Sequence, residues 1–413
     1  MSDVYGRRRL LCVAWVLFSA FSAGCGLSKS MASLLAQVVL FEVGPTHKPS
    51  LLGALIGQLE MDLLDQKLSP WDAIRKVDLM GNVLIICATT LMVFALQEAG
   101  AFAYTWNSPV IVLTLSIAGL SWVMFITWEV FLGIKRNTKV EPILPLRLIT
   151  HRVYMGALVC TLFTGFTYLS LLIIIPERFQ IVNGENALWS GIHLLPMLGA
   201  TAFGSFLAGA VSSKRNNTSI TLIASLCLQL IGTGLLSTLS DVTTEIKAQY
   251  GYQVILGLGI GLSLGAATIL VSLQARHVDL AVAQGAIAQA RVFGGAVGIA
   301  ICSIILNVKI EDQLAGAMDP DEIEELHRSP TITSYLPHEQ QQLVRRVYAS
   351  VFTTDMILMI GVCAAGMICS LLTFERRPPP MPSAPGQTNK DEMTTRGQSS
   401  ETELDELVEV RVR

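Results

Sequence analysis

Charge is what this sequence has least of. Only 15% of its 413 residues are Asp, Glu, Lys or Arg, against about 25% in ordinary soluble domains. A chain so short of solvating surface cannot cover a water-exposed fold. Its 52% hydrophobic residues and mean hydropathy of +0.54 agree with that. Chemistry is missing as well: there is no His-Glu-x-x-His helix and no P-loop lysine, and the Gly261-Leu262-Ser263-Leu264-Gly265 string lies inside an apolar block with no preceding strand, so it is no nucleophile elbow. The eight cysteines (Cys12, Cys25, Cys87, Cys160, Cys227, Cys302, Cys363 and Cys369) all lie in apolar stretches with no Cys-x-x-Cys pair. They form neither a disulfide framework nor a metal site and read as small packing residues. No catalytic residue, metal ligand or cofactor is expected.

What is present is a series of long apolar blocks. Val153 to Pro176 and Tyr250 to Ala275 contain no Asp, Glu, Lys or Arg, and a helix needs roughly 20 apolar residues to cross a bilayer. Backbone groups in lipid have no water to bond, so such segments are helices. The blocks are Leu10–Ser28, Leu79–Gln97, Pro109–Trp128, Val153–Pro176, Ala187–Val211, Ser219–Leu239, Tyr252–Leu273, Ala281–Leu306 and Val351–Phe374. The expectation is an all-α, polytopic membrane protein with about nine transmembrane helices.

Lys and Arg in the short loops orient the spans. Lys135, Arg136, Lys139, Arg147 and Arg152 mark one cytoplasmic loop, Lys214 and Arg215 a second, and Arg276 a third. Arg376 and Arg377 then place the C-terminus in the cytoplasm. Residues 307–350 become a long external loop with an acidic surface helix at Asp319 to Glu325. Residues 376–413, rich in Pro, Ser, Thr and charge, read as a disordered tail. The first 70 residues do not fit the alternation. Arg7, Arg8 and Arg9 start the chain inside, yet residues 30–70 supply no comfortable crossing before Leu79. The divisions are therefore an incomplete N-terminal bundle over 1–70, eight transmembrane helices over 71–375, and the tail.

Several motifs carry a resemblance. Ser2-Asp3-Val4-Tyr5-Gly6-Arg7-Arg8-Arg9 before a span resembles the signature loop of the major facilitator superfamily. Asp78-Leu79-Met80-Gly81, Tyr104-Thr105-Trp106-Asn107-Ser108-Pro109 and Pro176-Glu177-Arg178-Phe179-Gln180 resemble fungal fourteen-helix drug:proton antiporters. So do Ser190-Gly191-Ile192-His193-Leu194-Leu195-Pro196, Gly257-Leu258-Gly259-Ile260-Gly261 and Arg291-Val292-Phe293-Gly294-Gly295-Ala296-Val297-Gly298. The resemblance implies a major-facilitator-like helical bundle that exports amphipathic small molecules such as toxins, drugs or secondary metabolites. It implies proton coupling by analogy, a plasma or vacuolar membrane location, and a loop of Asp3, Gly6, Arg7 and Arg8 acting as a conformational switch. The partners are then a small amphipathic substrate, protons and the lipid bilayer, with no nucleic acid. The family's helix-five Gly-Pro-Gly-Gly signature and several N-terminal helices are missing. A transport-inactive truncated relative, or a non-transporting membrane partner protein, is the alternative.

Within the spans, Arg291 is the sharpest candidate, because a charge at that depth is costly unless it faces protein or a water-filled cavity. Gln284, Ala288, Arg291, Gly295 and Gly298 share one helical face. Arg291 either holds a carboxylate or substrate in one transport state or snorkels to the inner surface. Gln253, Gln274, Gln289 and His193 are further polar candidates for cavity or coupling roles, while Asp355 reads as interfacial. Gly257, Gly261 and Gly265 recur every four residues, which permits close helix packing in lipid. Gly294, Gly295 and Gly298 are expected to act in the same way.

Overall fold

A computed structural model of the chain describes residues 78–100, 106–134, 146–212, 216–239, 246–275, 279–314, 337–375 and 378–379. Among them the only regular structure is helical: α1 (Leu79–Gly100), α2 (Pro109–Ile134), α3 (Leu146–Ile149), α4 (Arg152–Ile181), α5 (Ala187–Ile192), α6 (Leu195–Ser212), α7 (Thr218–Ser237), α8 (Ile246–Gln274), α9 (Leu280–Leu314) and α10 (His338–Ser370). A 3-10 turn over Leu371–Thr373 follows. Eight segments are long and apolar enough to span a membrane, with α5 and α6 counting as one. The ninth expected span, Leu10–Ser28, lies outside the described residues. So do Asp3, Gly6, Arg7, Arg8, the Asp319–Glu325 run and the tail beyond residue 379.

The helices overrun the apolar blocks. α4 continues through Pro176 to Ile181. Proline removes one backbone donor but leaves the helix standing where neighbouring helices support it. α9 runs on to Leu314 and α10 begins at His338, so both ends of the loop expected at 307–350 are helical. Hydropathy does not see these ends because the added turns are polar, as in His338-Glu339-Gln340-Gln341. The expected block Ala187–Val211 is broken at His193–Leu194. Asn186 caps α5 by accepting the Trp189 N–H, and Pro196 opens α6, where a missing donor costs nothing.

α8 lies at the middle of the bundle, packed against α6, α7 and α4. Small residues bring it close. A Cβ added at Gly261 would stand 2.0 Å from the Thr201 carbonyl oxygen of α6, and one at Gly257 2.3 Å from that of Met197. Gly265 abuts Ala208 at 2.7 Å, and on the α7 side Gly259 meets the Ser225 carbonyl at 2.8 Å. In lipid no hydrophobic force drives helices together, so contacts of this kind supply the association. The shared core holds Phe179, Met197, Leu256, Ile260, Met356 and Met359. Outward faces keep Phe203, Phe206, Ile220, Ile357 and Ile368 exposed, as lipid contact requires.

α1 and α2 form a pair that reaches the bundle through α9. Asp78 caps α1 by accepting the Gly81 N–H at 2.9 Å, and its carboxylate also accepts the Trp128 Nε1–H at 3.0 Å. Trp128 thus ties the two helices together. At the far end of α4, Arg147 pairs with Asp279, and Arg152 donates to the Leu372 carbonyl.

The packing leads to a direct test. Gly261→Ala drives a methyl into backbone and lowers stability by about 1–3 kcal/mol. Gly199→Ala on the same α6–α8 pair of helices, with nothing within 4 Å of its Cβ, leaves thermal unfolding of the detergent-solubilised protein unchanged.

Candidate functional site

Arg291 sits three turns into α9, half-buried, with no hydrogen-bond partner on its Nε. Its backbone is pressed against α4: a Cβ at Gly165 would lie 2.1 Å from the Arg291 carbonyl oxygen. Tyr168, one turn further along α4, is near enough for its phenol to feel the guanidinium charge. Beyond Arg291 the small residues of the stripe close onto α4. Cβ atoms at Gly294, Gly295 and Gly298 would meet the Leu162 carbonyl at 2.1 Å, Leu169 at 2.2 Å and the Ser170 hydroxyl at 2.4 Å. On the other flank Phe293 meets Trp122 of α2 with ring centroids 6.0 Å apart. Arg291 therefore stands at the edge of a tight α4–α9 seam, beside the α1–α2 pair.

The remaining polar candidates do not gather around it. Gln284 donates to the Thr268 carbonyl and the Ser272 hydroxyl of α8, each at 2.8 Å. Gln274 donates to Glu375 at 3.0 Å. Gln289 is half-buried two residues before Arg291. Gln253 is 1% exposed, and its Oε1 has no partner. Gln253 and Ser272 are separated by about 28 Å along α8 at 1.5 Å per residue. These residues mark the height of the bundle rather than one site.

His193, at the α5–α6 break, has both ring nitrogens engaged. Nε2 lies 2.9 Å from Glu185, Nδ1 meets the Tyr250 hydroxyl, and the ring stacks on Phe179 at 4.9 Å. The cluster joins α4, the α5–α6 break and α8, a structural hydrogen-bonding role that suits a histidine held by two partners.

A partly open cavity of about 40 Å³ lies between α4, α9 and α10. Glu177 and Asp355 face it, together with Ser170, Cys302, Ser303 and Tyr348. Asp355 is 2% exposed and falls in the middle of the 33-residue α10, held among helices. Its Oδ1 and the Ser170 hydroxyl lack partners. Arg178 lines the cavity and Lys309 stands beside it, and neither pairs with a carboxylate. Lys309 donates to the Ser350 carbonyl at 3.2 Å, the Ser350 hydroxyl at 2.9 Å and Thr354 at 2.6 Å. Arg178, 4% exposed, donates to the Leu239 carbonyl and stacks 4.3 Å over the Phe352 ring.

Reading the residues in order missed this site. Glu177 and Arg178 follow a proline that seemed to end the span, and the block for α10 began too late to centre Asp355. Charged side chains inside spans are the available signal, once the helices are given their full lengths. Because Arg178 bonds the end of α7 from within α4, Arg178→Met removes a charged hydrogen bond and a cation–π contact. A stability loss of about 1.5–3 kcal/mol is expected, read as a lower unfolding midpoint, with Phe352→Leu costing less.

Residues 58–324 match the family described as fungal trichothecene efflux pump (TRI12). The chain is 30% identical to the MFS-type transporter FPY5 of Fusarium mangiferae, over 93% of this chain and 75% of that protein. It is 27% identical to the MFS acetylaranotin efflux transporter ataA of Aspergillus terreus, over 74% of this chain and 70% of the relative. Identity to the efflux pump dotC of Dothistroma septosporum is 24%, over 72% of this chain, which spans about half (51%) of that relative. Among solved structures, the fold is similar to a bacterial homologue of the human lysosomal transporter Spinster in its inward-facing, occupied conformation. There the TM-score is 0.50 at 14% identity, covering 88% of this chain and 81% of that one. With an all-helical membrane fold, a transporter among its structural neighbours and a family match over most of its length, the chain belongs to the fungal trichothecene efflux pump family of major-facilitator-type transporters.

Proposed function

We propose that this protein exports small amphipathic molecules, of the toxin or secondary-metabolite kind, by alternating access driven by proton entry. The observation that carries the reading is the match of residues 58–324 to an efflux-pump family. Relatives named for acetylaranotin efflux and for efflux in Dothistroma favour a metabolite as cargo. A bundle with few polar side chains suits varied substrates, since apolar contacts discriminate weakly between ligands. In this account Arg291 receives a carboxylate or substrate group in one state, and Asp3, Gly6, Arg7 and Arg8 form the loop that distinguishes the states. The basic loops place the C-terminus in the cytoplasm, and the plasma membrane is the compartment that export requires, with the vacuolar membrane serving sequestration instead.

The competing reading is a transport-inactive relative or a partner that assembles with another chain through its glycine-rich helices. The second form is disfavoured by geometry: the Gly257, Gly261 and Gly265 face of α8 is already covered by α6 of the same chain.

The test is expression in a yeast strain stripped of its own efflux pumps, challenged with a trichothecene and with rhodamine dyes. Expressing cells should retain less of at least one compound, and a protonophore should abolish the difference. Arg291→Ala should abolish export at unchanged membrane abundance, and Arg291→Lys should keep part of it. Equal retention in expressing and empty cells, with the protein present in the membrane, supports the inactive reading.

A further inference from the structure

We infer that the cavity between α4, α9 and α10 is a proton-binding site, in which Asp355 takes up a proton with Glu177 facing the same space. Its size selects the ligand. About 40 Å³ admits a few waters but no drug-sized molecule, whose pockets run from about 300 to 1,000 Å³. Its lining selects the chemistry. Two carboxylates from different helices face the same small space with hydroxyls at Ser170 and Ser303. Asp355 is 98% buried by its 2% exposure, and its Oδ1 reaches the cavity with no partner. Two carboxylates facing one small space repel, and protonation of one removes the repulsion.

The surrounding charges do not supply another solution. α4 contributes Arg178 and α9 contributes Lys309 and Cys302, while α10 itself adds Tyr348. α7, also packed on α10, presents only Cys227, which meets Met367. Lys309 is held by Ser350 and Thr354, and the bonded nitrogen of Arg178 is held by Leu239. The Arg147–Asp279 and His193–Glu185 ion pairs lie away from this cavity. In the step itself, an O–H bond forms at Asp355 Oδ1 with a proton delivered by a water in the cavity, and the same bond breaks on release. Arg178 keeps two nitrogens without partners. When the proton leaves, they can turn toward the new negative charge and loosen the bond to the end of α7.

The role in transport rests on the proposed proton-driven export, but the binding itself is measurable without substrate. The experiment is infrared difference spectroscopy of the full-length protein in lipid nanodiscs between acid and alkaline buffer. The wild type should show the C=O band of a protonated carboxyl group that vanishes at high pH and shifts in heavy water. Asp355→Asn should lose that band, Glu177→Gln should move its midpoint, and Asp355→Glu should restore it, with size exclusion verifying that each variant is folded. A wild type without the band, or an Asp355→Asn variant that keeps it, overturns the assignment. So does a band abolished by sodium chloride at constant pH, which assigns the cavity to a metal cation. If the band behaves as expected while wild-type cells export nothing, the proton site stands and the export reading fails.

Discussion

Where Gly261 faces Thr201, two helix backbones stand closer than any side chain would permit. The same close approach recurs at Gly257 and Gly259, so α8 is clasped by α6 on one side and α7 on the other. In a bilayer, where apolar side chains gain nothing by leaving lipid for protein, such van der Waals contact is what fixes helix positions. The seam between α4 and α9 repeats the arrangement through Gly165, Gly294 and Gly298. The two seams meet through α4, which packs on α8, α9 and α10. Everything polar in the bundle is placed by these contacts.

That placement gives the charged residues distinct tasks. Arg291 stands at the rim of the α4–α9 seam beside the α1–α2 pair, with an unsatisfied Nε. Glu177 and Asp355 are brought together on the opposite half of the same three-helix unit, in a space too small for cargo. His193 is satisfied on both nitrogens and holds the helix break at α5–α6. In the proposed exchange of large amphipathic molecules for protons, Arg291 would face the substrate and the separate water-sized acidic cavity would hold the proton. Substrate and proton then need not compete for one space.

Much of the fold was legible in the sequence because bilayer thickness fixes the length of an apolar block. Eight spans fall where composition places them. The ends were not legible: the polar first turns of α10, the last turns of α9 and the passage of α4 through Pro176 carry no hydropathy signal. The glycine spacing on α8 pointed to close packing, but not to the partner, which depends on how α6 folds back. The site was legible only in part. Arg291 stood out as an isolated charge in an apolar span. The acidic cavity did not, because Glu177 and Asp355 are far apart in the chain and meet only when α4 and α10 pack together.

The central claim is that export of an amphipathic molecule and movement of protons are one event. Proteoliposomes of the full chain, with a pH-sensitive dye trapped inside, measure it directly. Adding a transported trichothecene or rhodamine to the outside should shift the internal pH in vesicles that contain protein and leave protein-free vesicles unchanged. Entry of the compound through the protein with no change in internal pH would contradict the account.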